Sequence, residues 1–434
     1  MFEIKKFPLL KETIYETTLS NGLRLIVIPK KGFTKQFAMY ATDYGSNNIR
    51  FVPVGQTEAV EVPLGIAHFL EHKMFDNPNG ENVFEQFAKY GASPNAFTGN
   101  GMTAYYFVST DDFYENLHIL INYVNSPYFT HESVEKEKGI IGQEITMYDD
   151  MEGWVIQKNL LQALYHNHPV RNDIAGDIES ISKITHEMLY LCYNNFYNPA
   201  NMVLVTVGDI DPDEVFEHAE KYVAEDKRAL AVGKVVKPVI DEPSEIVKPY
   251  VEAYMDVARP IVMYGCKDNN VGYTGCDLLR RRHAVDIALE LFAGSESDFY
   301  NDMYRAQVVD QSFEYGYTGE TEYAYAYFSV ETEKKDEFLA KLKEYIAKTK
   351  KDGFLEESFH RVKKSFLGDL IRVFNNVNSI AIHSTYRAFN GTTLFDYYDV
   401  LNSITLEDVT AAFASLFDEE HSAVSVILPT AKEA

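Results

Sequence analysis

Two stretches of this chain align with each other without gaps, 220 residues apart. SKITHEMLYLCYNNFYNPANMVLVTVG (182–208) falls on NSITLEDVTAAFASLFDEEHSAVSVIL (402–428), and both copies have the pattern of a helix followed by a strand. A shorter match sets FTHESVEKEK (129–138) against FLEESFHRVK (354–363) at an offset of 225. Any two helix-then-strand units share some pattern, but two matches in the same order predict a duplicated α+β unit.

The local patterns favour an α+β fold with two homologous domains, each a mixed or antiparallel sheet flanked by helices. Apolar residues alternate on both sides of Asn21-Gly22, which predicts a hairpin over 14–28. In the first half we also expect strands at 36–44, 93–98, 103–109 and 202–208, and helices at 64–75, 82–91, 111–124, 131–150, 154–165, 185–196 and 212–223. Three prolines interrupt the pattern in 226–250, so we expect a catalytic domain at 1–225, a linker at 226–250 and a second domain at 251–434.

Composition excludes several classes of protein. The formal net charge of -25 would repel a phosphate backbone or an anionic membrane surface, so nucleic acid is a poor partner. Cys192, Cys266 and Cys276 are odd in number and form no CxxC pair, which excludes a disulfide framework and a thiolate zinc site. The first residues lack the apolar region of a signal peptide, and no apolar run is long enough to span a membrane. We therefore expect a cytoplasmic protein without a membrane partner.

The segment His68-Phe69-Leu70-Glu71-His72 lies in the helix predicted over 64–75. Residues four apart lie one above the other on a helix, so His68 and His72 can direct two imidazole nitrogens at one zinc ion. Glu71 then approaches the open coordination position, where it can act as the general base for water. HxxEH is the reverse order of HExxH and satisfies the same geometry. Two unrelated surface histidines would give the same letters, although composition alone yields roughly 0.03 such matches in a chain of this size.

A zinc site with two histidines needs a third protein ligand. Glu137 and Glu144 are seven residues apart in the helix predicted over 131–150, and they fall within about 20° of each other on it. One would ligate the metal while the other orients a ligand. The surrounding run of Glu and Lys is also typical of a solvated helix face. Spacing alone leaves these two interpretations open.

HFLEH, followed 65 and 72 residues later by Glu137 and Glu144, resembles the insulinase/pitrilysin family of inverted-motif (inverzincin) zinc peptidases. GASPNAFTGNGMTAYYF (91–107), HPVRNDIAG (168–176) and FYNPANMVLVTVGDID (196–211) resemble further segments of that family. The likeness covers essentially the whole first half and, more weakly, the second. It is strongest to the short two-domain bacterial branch, which includes proteins associated with elongation factor P modification, and more distant to the β-subunit of mitochondrial processing peptidase.

The resemblance implies that Glu144 is the third zinc ligand and that Glu137 is a supporting acid. It also implies that Asn95, Ala96 and Phe97 lie on an edge strand beside the active site, where an extended peptide substrate pairs with the main chain. From the residues alone, a plain buried strand fits equally well, with Phe97 in the core and Asn95 in a turn.

The second half departs from the first, since no HxxEH occurs after residue 72 and Glu144 aligns with Asp369. We therefore interpret it as a metal-free copy. In relatives the opposite half supplies an Arg and a Tyr to the substrate, and no such pair aligns here. The candidates are also ordinary strand residues at alternate positions, namely Tyr315, Tyr317, Tyr323, Tyr325 and Tyr327. The resemblance implies half of a clamshell, completed as a homodimer or as a heterodimer with a paralogous zinc-free subunit.

Three hypotheses about function follow. The first is a zinc metalloendopeptidase that hydrolyses short or unfolded peptides, with Zn²⁺ held by His68, His72 and Glu144 and with Glu71 as the general base. The second is a catalytically silent scaffold or partner subunit of the same fold, for which the five-residue motif and both glutamates would be unnecessary. The third is an unrelated zinc hydrolase or deaminase, which needs a Cys or Asp ligand set that the sequence lacks.

Overall fold

The computed structural model describes residues 2–78, 80–226, 228, 233 and 235–430. Within them the strands are β1 Glu3–Phe7, β2 Glu12–Thr18, β3 Arg24–Pro29, β4 Gln36–Thr42, β5 Arg50–Phe51, β6 Val60–Glu61, β7 Ser93–Thr98, β8 Thr103–Ser109, β9 Met202–Gly208, β10 Tyr250–Met255, β11 Ile261–Lys267, β12 Glu314–Gly319, β13 Ala324–Glu331 and β14 Ser422–Pro429. The helices are α1 Ile66–Lys73, α2 Val83–Ala88, α3 Phe113–Val124, α4 His131–Asp149, α5 Glu152–Leu164, α6 Ile178–Ser182, α7 His186–Phe196, α8 Pro212–Glu225, α9 Gly275–Ala293, α10 Asp298–Arg305, α11 Lys335–Asp352, α12 Glu356–Val373, α13 Val377–Phe389, α14 Leu394–Ser403 and α15 Leu406–Leu416.

The first sheet has seven strands in the order β1-β2-β3-β9-β4-β8-β7. Neighbouring strands are antiparallel except for the parallel pair β3 and β9. Every residue of β9 is buried, as its apolar sequence MVLVTVG requires of a central strand covered on both faces. β7 lies at the open edge of this sheet, beside β8.

The second sheet has five strands in the order β10-β14-β11-β13-β12. β10 and β14 are parallel, and the other neighbours are antiparallel. The order and directions match those of β3-β9-β4-β8-β7 in the first sheet, so the internal repeat is confirmed as a duplication of one mixed sheet with flanking helices. Each sheet has its own large apolar core, the first around Tyr40 and Leu70 and the second around Phe292 and Phe328.

The compact units differ from the contiguous domains expected from the sequence. One unit contains residues 1–145, 173–239 and 371–394, and the other contains 146–172, 240–370 and 395–434. The division at 239/240 falls inside the expected linker, but two helices are exchanged. α5 packs on β10, β11 and β14 of the second sheet, and α13 packs on β4 and β9 of the first.

The exchanged helices pack closely on their sheets. In the second unit, a Cβ added at Gly265 of β11 would lie 2.5 Å from Cδ2 of Leu160, so a larger residue there would force the Leu160 side chain to move. In the first unit, Arg24 donates to the carbonyl of Ala388 at the end of α13 (2.7 Å). Each compact unit is therefore assembled from separate parts of the chain.

The start of α1 is fixed by a loop that the sequence resemblance had singled out. Gly65 precedes the helix with a φ of 81°, and a Cβ placed on it would lie 2.2 Å from the carbonyl oxygen of Ala175. Ser180 donates from Oγ to the carbonyl of Leu64 (3.1 Å). Only glycine tolerates both the positive φ and the close approach of the Ala175 carbonyl. The segment 173–180, which packs against Leu64 and Gly65, therefore fixes where α1 begins.

Two expectations from composition concern the chain as a whole. Within the described ranges no helix is both long and apolar enough to cross a membrane. Cys192, Cys266 and Cys276 are all unpaired, the first two buried and the third exposed.

Candidate metal centre

The HxxEH segment forms most of α1, as the sequence predicts. Phe69 and Leu70 are buried in the core of the first unit and anchor the helix. His68 and His72 lie on the other side, with ring centroids 4.6 Å apart. The four-residue spacing thus puts both imidazoles on one face, as two ligands of one ion require.

α4 brings a carboxylate to this pair. Oε1 of Glu144 lies 3.7 Å from Nε2 of His68, and its Oε2 lies 3.5 Å from Nε2 of His72. Two ligand atoms about 2.1 Å from one ion at the tetrahedral angle are about 3.4 Å apart. The three side chains each offer a ligand atom within 4.8 Å of the others. Their spacing therefore fits a zinc ion better than it fits direct hydrogen bonds, which are shorter than about 3.2 Å.

Glu137 contacts the centre through a histidine. Its Oε1 lies 3.0 Å from Nδ1 of His72, the ring nitrogen that faces away from Glu144. This contact selects the tautomer with the proton on Nδ1 and leaves the lone pair of Nε2 for a metal, as outer carboxylates do in zinc sites. Spacing left open whether Glu137 and Glu144 face a metal or solvent, and the structure favours the first. Glu135 of the same helix is exposed and pairs with Lys138 (2.6 Å).

The surroundings give the two histidines different proton affinities. Burial lowers the pKa of His68 to about 4, and the neighbouring His72 acts in the same direction. Burial also acts to lower the pKa of His72, but its hydrogen bond to Glu137 and the nearby carboxylates outweigh this, so the pKa is raised. His68 is therefore neutral at pH 7, as a metal ligand needs to be, whereas His72 holds its proton more tightly than an ordinary imidazole does.

Glu71 is buried on the same helix and is held by one hydrogen bond. Thr98, the last residue of β7, donates from Oγ1 to Oε2 of Glu71 (2.7 Å). Burial raises the pKa of Glu71, although the hydrogen bond from Thr98 opposes this. A carboxylate with a raised pKa is the more effective proton acceptor at neutral pH.

The candidate substrate residues lie on β7, which is at the sheet edge as the resemblance implies. Asn95 is exposed, and its Oδ1 accepts a hydrogen bond from the backbone N–H of Ala96 (2.8 Å). Phe97 is half-buried, with its ring centroid 6.3 Å from that of Tyr106. Among the described residues β7 pairs with β8 alone, so its position at the sheet edge does not match the alternative of a plain buried strand.

The second unit offers no comparable set of ligands among the residues that the structure describes. Asp369, the counterpart of Glu144, is exposed on α12. Tyr317 donates to Asp268 (2.8 Å), a carboxylate that also accepts from the buried Arg281 (2.7 Å). Tyr315 donates to Glu290. These two tyrosines are thus held within the second unit, in agreement with their interpretation as strand residues.

Two residues that lie beside the candidate metal centre were not predicted from the sequence. Thr98 follows Ala96 by two positions and therefore shares its face of β7, which is the signal that could have indicated a contact with the site. Lys73 directly follows His72 and is buried, with 2% of its surface exposed. An isolated lysine next to a metal motif carries no such signal, because most lysines are solvated.

Comparison with protein families identifies both halves. The model of the insulinase family, peptidase family M16, matches residues 48–178, and the model of the M16 peptidase inactive domain matches residues 183–366. The second match runs from the end of the first half into the second half, in which the HxxEH motif does not recur.

Individual proteins agree with the family matches. The uncharacterised zinc protease YmfH of Bacillus subtilis is 38% identical over 424 residues, which cover 98% of this chain and 98% of that protein. The crystal structure of an M16-like peptidase from Alicyclobacillus acidocaldarius has a TM-score of 0.92 and 33% identity, with 99% of each chain covered. Pitrilysin, at 14% identity and a TM-score of 0.74, shares the fold over all of this chain and 47% of its own length.

Proposed function

The chain belongs to the insulinase family of peptidases (family M16), and on that premise we propose that it is a zinc-dependent metalloendopeptidase acting on short or unfolded peptides. The observation that carries the proposal is the convergence of His68, His72 and Glu144, whose ligand atoms all lie within 4.8 Å of one another, beside a buried glutamate. These three residues would hold the metal. When bound, Zn²⁺ would polarise the scissile carbonyl as a Lewis acid and make water a nucleophile at neutral pH.

Glu71 is the general base in this proposal. Its carboxylate takes the proton from the attacking water and then delivers it to the leaving amine nitrogen, so one residue serves both proton transfers. Thr98 fixes the rotamer of Glu71 through the hydrogen bond of 2.7 Å. Burial keeps bulk water from competing for the proton, and it raises the pKa of the carboxyl towards the working range.

We propose that the substrate lies along β7. The open edge of the strand offers main-chain groups to an extended peptide, and Asn95, Ala96 and Phe97 precede the residue that contacts Glu71. A peptide paired with this edge would pass beside the general base. In the free chain the Ala96 N–H donates to Asn95 Oδ1, which a peptide carbonyl would have to displace. Ala96→Pro removes this main-chain donor and should raise KM, whereas an unchanged KM for peptides of several lengths would contradict edge pairing.

We also propose that a second subunit completes the enzyme, either as a homodimer or as a heterodimer with a paralogous zinc-free chain. The support is that Tyr315 and Tyr317 are already hydrogen-bonded within their own unit and that no Arg-Tyr pair aligns. Light scattering of the purified chain tests this proposal. A fully active monomer would show that no partner is needed.

The deciding experiment compares wild type with Glu71→Gln, Glu144→Gln and the control Glu135→Gln, in zinc content and in peptide hydrolysis. Glu71→Gln should retain zinc and lose activity by a factor of about 10²–10⁴, the usual contribution of a general base. Glu144→Gln should lose zinc, and the control should keep both. Wild type that binds zinc but hydrolyses nothing, alone or with any paralogous subunit, would instead support the silent scaffold.

A further inference from the structure

Lys73 is the last residue of α1 and directly follows the metal ligand His72. Only 2% of its surface is exposed. Lysines are almost never fully buried without a charged partner, because removing an ammonium group from water is costly. Its burial beside a metal centre therefore calls for a partner of opposite charge.

Two carboxylates meet the ammonium group. Nζ of Lys73 pairs with Asp76 one turn further along the chain, and it lies 3.5 Å from Oε2 of Glu137. The other oxygen of Glu137 is the one that contacts Nδ1 of His72 at 3.0 Å. Glu137 is therefore held at both oxygens, by the lysine on one side and by the metal ligand on the other.

Whether Lys73 repels a metal ion at this centre depends on the charges around its ammonium group. A positive charge near the centre would repel Zn²⁺ if it stood alone. Lys73, however, is shared by Asp76 and Glu137, so the group of three carries a net charge of about -1. The two carboxylates therefore offset the repulsion between Lys73 and a metal ion. What remains is the ion pair that holds Glu137 in place.

We propose that Lys73 is a positioning residue of the metal centre, which holds Glu137 by an ion pair and thereby aims Nε2 of His72 at the ion. The proposal rests on zinc binding by this site. Without the ammonium group, Glu137 is free to rotate away from His72, and the imidazole loses its fixed tautomer and orientation. Loss of such an outer partner typically weakens metal binding 10- to 100-fold.

Zinc affinity, measured by competition with a chromogenic chelator, tests the proposal on the whole chain. Lys73→Met keeps the length and removes the charge, so its Kd for zinc should rise about 10- to 100-fold, and the visible spectrum of the Co²⁺-substituted protein should change. Lys138→Met is the matched control, since Lys138 pairs with Glu135 on the helix that carries Glu137. Its Kd should stay within about twofold.

A double-mutant comparison separates positioning from general packing. In a Glu137→Gln background, Lys73→Met should add less than about twofold to the Kd, because the lysine acts through that carboxylate. The proposal would be overturned if Lys73→Met weakened zinc binding equally in the wild-type and Glu137→Gln backgrounds. It would also be overturned if Lys73→Met alone bound zinc with the wild-type Kd. If Lys73→Met does not fold, Lys73→Gln takes its place with the same expectation. Wild type that binds no zinc would instead refute the proposed function.

Discussion

The hydrogen bond from Thr98 to Glu71 offers the most direct test of how the fold prepares the proposed base. Thr98→Val replaces the hydroxyl with a methyl group of similar size and keeps the β-branched shape that suits a strand. Thr103, whose Oγ1 lies 3.4 Å from that of Thr98, also donates to the carbonyl of Tyr44 (2.9 Å) and keeps that bond. The substitution therefore removes the hydrogen bond to Glu71 and the weak contact from Thr103, without leaving a buried donor unpaired.

The size of the effect follows from the nature of this bond. It is short, at 2.7 Å, and it joins a neutral donor to a buried carboxylate. Hydrogen bonds to charged groups contribute about 1.5–3 kcal/mol. If the bond holds Glu71 in its reactive rotamer, that energy appears in kcat/KM as a loss of roughly 10- to 100-fold, since each 1.36 kcal/mol is a factor of ten.

The assay is peptide hydrolysis at matched zinc content. Thr98→Ser keeps the hydroxyl and should recover most of the activity, which separates loss of the bond from loss of the methyl group. Zinc Kd should change little in either variant, because Thr98 contacts the base and not the proposed ligands. Wild-type kcat/KM in Thr98→Val would refute the idea that this hydroxyl orients Glu71.

Three further predictions concern stability. Burial lowers the pKa of His168 to about 4, below the value of about 6.5 in an unfolded chain. The free energy of unfolding is therefore highest above pH 6.5 and falls by about 3 kcal/mol as the pH falls towards 4. Denaturant titrations at several pH values should show this dependence in wild type and a weaker one in His168→Asn. Gly65→Ala should destabilise by about 2 kcal/mol or more, because of its positive φ and the carbonyl of Ala175, and an unchanged melting temperature would contradict the close contact. Zinc at 100 times its Kd should stabilise wild type by about 2.7 kcal/mol, and a chelator should remove this effect, whereas Glu144→Gln should show no response to either.

Local sequence patterns were sufficient to predict most elements of the first half. β7, β8 and β9 have the predicted bounds, and the hairpin around Asn21-Gly22 is the pair β2 and β3, with Thr18 opposite Arg24. The helix predicted over 131–150 is α4, and Thr130 caps it by accepting from the backbone N–H of Ser133 (3.1 Å). These elements are set by apolar periodicity, turn residues and caps, which are all local signals.

The exchange of α5 and α13 was not predicted, and the reason is physical. An apolar stripe on a helix shows that one face is buried, but it is the same stripe whichever sheet covers it. Ile156 and Leu160 of α5 pack with Ile261 and Met263 of the second sheet, more than 95 residues along the chain. Choosing between two sheets of nearly equal topology requires the three-dimensional packing.

The sequence pattern indicated the candidate metal ligands, but it did not indicate the residues that contact them. His68 and His72 follow from the four-residue spacing, and spacing placed Glu137 and Glu144 on one face of a helix. Spacing does not say how far α4 lies from α1, and the order of the two glutamates came from family resemblance. The contacts of Lys73 and Thr98 join separate elements, so they depend on distances that local patterns do not contain.

The second copy shows which side chains the same fold accepts at the positions of the candidate metal centre. β7 and β12 begin 221 residues apart, as do β8 and β13. At that offset His68, Glu71 and His72 fall on Leu289, Phe292 and Ala293, all buried in the second core.

At the offset of 225 that relates α4 to α12, Glu137 falls on Val362, which is buried in the same core. The second copy thus places apolar side chains where the first has His68, Glu71, His72 and Glu137, whereas the counterpart of Glu144 is the exposed Asp369. Buried ionisable groups that are replaced by well-packed apolar ones commonly leave stability unchanged or increase it. The first copy forgoes that packing at the same positions, so zinc should contribute to the stability of the first unit only. A chelator should therefore speed hydrogen exchange in α1 and α4 and leave α9 and α12 unchanged, whereas equal changes in both pairs would contradict this account.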